Sequence, residues 1–181
     1  ARGYYNRLAS YSLQLYRDED AIRWAAAAVE LSPEDADGHR KLAEMYRSQQ
    51  DFAQATREFK LALQHNPKLW PVYFELAELL LARGEEVEAE SLYRRVMRGS
   101  ADDELVSTAI RLSAAINQKR GTLEVLENEL LPISLGNPQK VVYRRLLVEV
   151  YANLTAPLSS KVQSGGPDAA AAKAKLLRVG A

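Results

Sequence analysis

The chain contains no cysteine among its 181 residues. That removes disulfide frameworks, thiolate metal sites and cysteine nucleophiles together. Histidine is nearly as scarce, with only His39 and His65, far apart and without a flanking carboxylate pattern of the metal-ligand type. An excess of one charge is also missing: 24 Lys and Arg face 24 Asp and Glu. No overall bias therefore points to nucleic acid or to an anionic membrane. Residues 1–117 carry 15 basic and 19 acidic side chains, and 118–181 carry 9 and 5. Solvated faces account for so mild a tilt. No uncharged run approaches the ~18–20 apolar residues that a membrane-spanning helix needs. Phosphate-cradling glycine loops, nucleophile elbows and dinucleotide fingerprints are absent. The first residues, Ala1-Arg2-Gly3-Tyr4-Tyr5, carry neither a start methionine nor a signal-peptide pattern, so a piece of a longer chain is expected.

What is present is a period. Pro33 and Pro67 each close an apolar helical pattern, and a 34-residue frame aligns three copies starting at Arg2, Ala36 and Trp70. Position 4 is large (Tyr5, His39, Tyr73), and position 7 is leucine (Leu8, Leu42, Leu76). Position 8 is alanine (Ala9, Ala43, Ala77), and so is position 20 (Ala21, Ala55, Ala89). Positions 24 and 27 carry Ala25, Phe59, Tyr93 and Ala28, Ala62, Val96. The first half of each copy has apolar residues at helical spacing, as in His39, Leu42, Ala43 and Tyr46. Alanine at two fixed positions fits a close crossing of paired helices, whose axes normally lie about 8–10 Å apart. Proline ends the second helix because it lacks an amide hydrogen and clashes with the preceding turn. Asp51 followed by Gln54 marks a helix start, and Gly84 suits a tight turn.

These positions resemble the tetratricopeptide repeat, most fully in the middle copy at Leu42, Ala43, Tyr46, Ala55, Phe59, Ala62 and Pro67. Ser12 stands where Tyr46 does, and Ala101 where a closing proline would. The resemblance implies an all-α, right-handed superhelical solenoid of antiparallel helix pairs. Residues 1–101 hold the three repeats (2–35, 36–69, 70–103 approximately). Residues 102–131 read as a degenerate fourth hairpin, with a helix start at Ser100-Ala101-Asp102-Asp103 and a second, shorter helix from Leu123 to Leu131 ended by Pro132. Arg111 takes the place of the small residue there. Gly136-Asn137-Pro138 then reads as the cap of a helix over 137–157, with Val142, Leu146, Val150 and Leu154 on one face, covering the open apolar end. Residues 158–166 read as a linker and 167–181 as a partial helix; its end, Leu176 to Ala181, resembles the first-helix end of a HEAT-type repeat.

The residues offer no catalytic constellation, so a non-enzymatic protein with no cofactor and no metal is expected. His39 falls on a core position, and His65 ends a helix where a cation meets the dipole. Trp24 and Trp70 read as packing residues. Acidic clusters such as Glu85-Glu86 and Glu34-Asp35 sit at helix starts, where negative charge suits the same dipole. The resemblance implies a concave groove lined by outward positions of each first helix. Asn6, Ser10, Arg40, Lys41, Glu44, Arg47, Phe74, Glu75 and Glu78 fall there. The reading is a peptide groove with a basic patch on the second repeat beside an acidic, aromatic-bearing one on the third. Docking on a chaperone tail by a carboxylate clamp is not expected, because its positions hold Asn6, Ser10, Lys41, Pro71 and Glu75. The expected partner is a protein or peptide. The alternatives are a spacer or self-assembly element, with homo-oligomers formed through exposed solenoid ends. An RNA-binding repeat ranks below these, because Lys119, Arg120, Arg144 and Arg145 lack interleaved aromatic residues for stacking.

Overall fold

A computed structural model describes residues 2–164. They form nine α-helices and no strand, in two compact units split at Gly99 and Ser100. The partial helix expected over 167–181 lies outside the described residues.

The first unit holds α1 (Arg2–Gln14), α2 (Asp18–Glu30), α3 (Ala36–Ser48), α4 (Phe52–His65), α5 (Trp70–Ala82) and α6 (Glu86–Gly99). They pair as the three expected hairpins, α1 with α2, α3 with α4, and α5 with α6, and consecutive hairpins stack through α2 on α3 and α4 on α5. The alanines at positions 8 and 20 are buried in every copy, as are Phe59, Tyr93, Ala62 and Val96. Asp51 caps α4, its carboxylate accepting from the Gln54 amide at 3.1 Å.

The turn within each hairpin shows why the period is so regular. Tyr16, Gln50 and Gly84 all have positive φ (55°, 61° and 79°), and they lie 34 residues apart. Each amide donates three residues back, to Leu13, Arg47 and Leu81, at 3.0–3.1 Å. The next amide reaches five residues back, from Arg17 to Ser12, Asp51 to Tyr46 and Glu85 to Leu80, at 2.8–2.9 Å. This is the Schellman pattern, in which a left-handed residue lets the chain reverse and satisfies the last carbonyls of a helix. Only the third copy uses glycine there. Tyr16 and Gln50 hold a conformation that costs a side-chain-bearing residue about 1–2 kcal/mol.

The second unit holds α7 (Asp103–Arg120), α8 (Leu123–Gly136) and α9 (Val141–Ser164), with α9 packed on both α7 and α8. Asp102 caps α7 by accepting from the amides of Glu104 (2.8 Å) and Leu105 (3.2 Å). Gly121, at φ 69°, repeats the same turn: its amide donates to Gln118, and that of Thr122 to Asn117. The degenerate pair is therefore a hairpin closed as the others are. Arg111 points outward to Glu149 of α9, at 3.3–3.4 Å, which is how a bulky cation is tolerated at that position.

Three boundaries differ from expectation. Pro132 does not end its helix: α8 continues to Gly136 with the proline inside it. Pro132 and Asn128, whose carbonyl loses its partner, are both exposed, so water can take the vacated bond, while Leu130 and Ser134 remain buried. Asn137 is not the cap of the following helix. It closes α8, its side-chain amide donating to the Ile133 carbonyl at 2.9 Å, and α9 begins at Val141. At its other end α9 runs on through Ser164, into the stretch read as a linker, with Pro157 inside it. Ser159 to Ser164 contains neither glycine nor proline to stop it, and glycine first appears at Gly165. Val142, Leu146, Val150 and Leu154 are all buried as the spacing implies.

Candidate functional site: the outward face of α3 and α5

The charged side chains of α3 follow from its sequence spacing. Asp37, Arg40, Lys41 and Glu44 stand three or four residues apart, so they share one face and can pair along it. Arg40 donates through Nε (3.1 Å) and Nη2 (3.0 Å) to Asp37 Oδ1, and through Nη1 to Glu44 Oε1. Lys41 Nζ lies 2.7 Å from Asp37 Oδ2. The hydrogen bond from Lys41, followed by that from Arg40, holds the Asp37 carboxyl below its ordinary range despite partial burial. One link crosses to α5: Arg47 Nη1 is 3.9 Å from Glu78 Oε2, and its guanidinium also stands 6.0 Å from the Phe59 ring centroid.

The expected basic patch is thus not a free one. Arg40 and Lys41 are both engaged by Asp37, which is not among the residues expected to line the groove. Helical i,i+3 and i,i+4 spacing was the signal for it. Glu75 of α5 stands among these groups without a partner. No hydrogen bond or ion pair reaches it among the described residues, and its Oε2 is wholly buried. Burial, and then the charge of Glu44, push its carboxyl above the ordinary range, against the pull of Arg47 and Arg40.

The remaining predicted residues stand apart from this network. Asn6 is exposed on α1, its carbonyl accepting from Ser10 Oγ at 3.0 Å. Phe74 is half-buried and turns toward Tyr93 of α6, ring centroids 5.8 Å apart. Trp24 stacks on Tyr5 at 5.8 Å, and Trp70 packs on Tyr73 at 5.6 Å and against Gly99, so both indoles are packing residues.

His39 is buried, as its core position implies, but its surroundings were not foreseen. Nδ1 lies 2.6 Å from Glu58 Oε2, and Nε2 lies 2.8 Å from the Pro33 carbonyl. That carbonyl can only accept, so Nε2 carries a hydrogen, and a proton must also lie between Nδ1 and the carboxyl. His65, the last residue of α4, stacks on the His39 ring at 5.5 Å and 7°. No group of three His, Cys, Asp or Glu able to hold a metal occurs among the described residues. Nor is any described helix long and apolar enough to cross a membrane.

Residues 46–112 match the tetratricopeptide repeat family model. That segment therefore carries the tetratricopeptide repeat, in agreement with the 34-residue frame. Solved structures with the same fold include MamA 41-end from Desulfovibrio magneticus RS-1, 15% identical with a TM-score of 0.57, where 98% of this chain and 92% of that one align. A repeat protein from Bacteroides fragilis is 14% identical with a TM-score of 0.59, over 99% and 85% of the two chains. The type III secretion translocator chaperone SycD of Yersinia enterocolitica is 23% identical with a TM-score of 0.54, over 66% and 93%. At such identities the likeness is one of fold. Comparison with curated protein sequences finds no match.

Proposed function

We propose that this chain is a non-enzymatic scaffold that holds an extended or helical peptide against the outward face of its first helices. The residues taken to line the groove are Asn6 of α1, Arg40, Lys41, Glu44 and Arg47 of α3, and Phe74, Glu75 and Glu78 of α5. The observation that carries the reading is the Arg47–Glu78 link, which joins the charged faces of α3 and α5 into one surface. The hairpins behind it are fixed by buried alanines and aromatics, so the surface is preorganised, and a partner loses less entropy on binding than it would to a mobile one. The fold shared with a secretion chaperone agrees with a protein partner.

Random peptides displayed on phage would be selected against the whole chain, and chemical-shift changes would map where they bind. Shifts concentrated on α3 and α5, with affinity reduced about tenfold or more in Arg47→Glu, support the groove. Selected peptides that leave α3 and α5 unperturbed would refute it.

A second reading, self-assembly, has its own observation. Tyr4 (59%), Tyr11 (59%) and Leu15 (67%) stay exposed on one side of the α1 segment at i, i+7 and i+11. An apolar stripe of this kind is a candidate for association. A sedimentation mass that fell to the monomer value in Tyr4→Glu/Tyr11→Glu would favour it.

A further inference from the structure

Resting on the groove reading above, we infer that the occupant presents a lysine or arginine side chain to Glu75. The charges on this face are spoken for except at one place. Arg40 is held by Asp37 and Glu44, Lys41 by Asp37, and Arg47 leans toward Glu78. Glu75 has no such partner, and its Oε2 is sealed from solvent. The residue as a whole remains part-exposed, and of its two carboxylate oxygens only Oε2 is sealed, so a donor reaches the carboxyl at Oε1.

A buried carboxylate without a donor is unfavourable, and a free chain normally avoids it by pairing or protonation. Here the neighbouring acids Glu44 and Glu78 add repulsion, Arg40 directs its hydrogen bonds to Asp37 and Glu44, and Arg47 pairs with Glu78 at 3.9 Å. An arriving ammonium or guanidinium donates to Oε1, neutralises the carboxylate and offsets that repulsion. An anionic group would meet four carboxylates, Asp37, Glu44, Glu75 and Glu78, against three cations already engaged. A neutral segment would cover Glu75 and leave the orphan in place. Charge complementarity therefore selects a basic side chain.

The test is a selection of random displayed dodecapeptides against the wild-type chain and Glu75→Gln in parallel, followed by binding of synthetic versions. Gln keeps the shape and removes the charge. In wild type, groove-bound peptides should be enriched in Lys or Arg at a fixed register. Replacing that lysine by norleucine should weaken binding about tenfold to wild type and hardly at all to Glu75→Gln. Groove-bound peptides without a basic preference, or an equal norleucine loss on both proteins, would overturn the inference and leave the groove reading intact. Peptides that never engage α3 and α5 would remove both.

Discussion

Breaking the buried His39–Glu58 pair should cost far more than replacing it outright. The repeat itself supplies the replacement. Position 4 is Tyr5, His39 and Tyr73, and position 23 is Trp24, Glu58 and Leu92. Tyr73 donates its hydroxyl to the Pro67 carbonyl at 3.1 Å, as His39 Nε2 does to Pro33, so the two residues make the same bond one repeat apart. What differs is position 23, a stacked ring, a carboxyl or a leucine. In His39→Tyr, Glu58 loses its partner while its side chain is only 11% exposed. Losing one member of a buried pair typically costs about 3–5 kcal/mol, and the small exposure of Glu58 places the expectation near the lower end. In Glu58→Leu, His39 keeps Pro33 but leaves Nδ1 unpaired, a loss of about 1–3 kcal/mol. The double variant recreates the Tyr73–Leu92 combination and should lie within about 1 kcal/mol of wild type, since buried pairs are often replaced by apolar groups without loss. His39→Phe/Glu58→Leu, which forfeits the Pro33 bond, should fall about 1 kcal/mol below it. Urea denaturation followed by circular dichroism, with hydrogen exchange of α3 and α4 to localise the effect, gives all the values. Additive single losses, with a coupling below about 0.5 kcal/mol, would show that the pair is not an energetic unit.

At the hairpin turns, Gln50→Gly and Tyr16→Gly should each raise stability by about 0.5–1 kcal/mol, the left-handed strain relieved less the entropy that glycine loses on folding. Urea midpoints measure this, and Gly84→Ala should shift in the opposite direction. A β-carbon at Gly99 would stand 2.7 Å from the Trp70 ring, so Gly99→Ala should lose about 1–3 kcal/mol and alter Trp70 fluorescence. Trp70→Leu should restore part of that loss. For Glu75, burial raises the folded carboxyl above its unfolded value, so the folded chain binds more protons in that window and stability falls as pH rises through it. Glu75→Gln should therefore melt higher than wild type at neutral pH, with the difference fading below the ordinary glutamate range. A difference independent of pH would mean that the charge of Glu75 is not what penalises the fold.

Much of the architecture could be read from residue spacing, because a helical repeat reuses local rules. Alanine at positions 8 and 20, leucine at 7 and proline at 32 describe contacts within one hairpin or between neighbours, and each recurs 34 residues on. The charged positions on α3 and α5 that the proposed groove uses could be read from the same register. Their pairing was half legible: Asp37 with Arg40 and Lys41 is an i,i+3 and i,i+4 pattern, whereas Arg47 with Glu78 joins different repeats and has no local signature.

By itself, then, the sequence determined the class of fold, the repeat frame, and the absence of cysteine chemistry, since these follow from composition and periodicity. Tertiary structure decided which charges are spent and which are left over. Arg40 and Glu75 sit one position apart in their repeat frames, yet one is doubly bonded and the other has no partner. It also decided that Gln50 and Tyr16 adopt the turn of Gly84, because a conformation imposed by two packed helices overrides the preference of the residue that must hold it. The helix through Pro132 and the carboxylate beside His39 have the same origin: which side of a helix meets water, and which residues distant in the chain meet each other, are settled only when the hairpins pack.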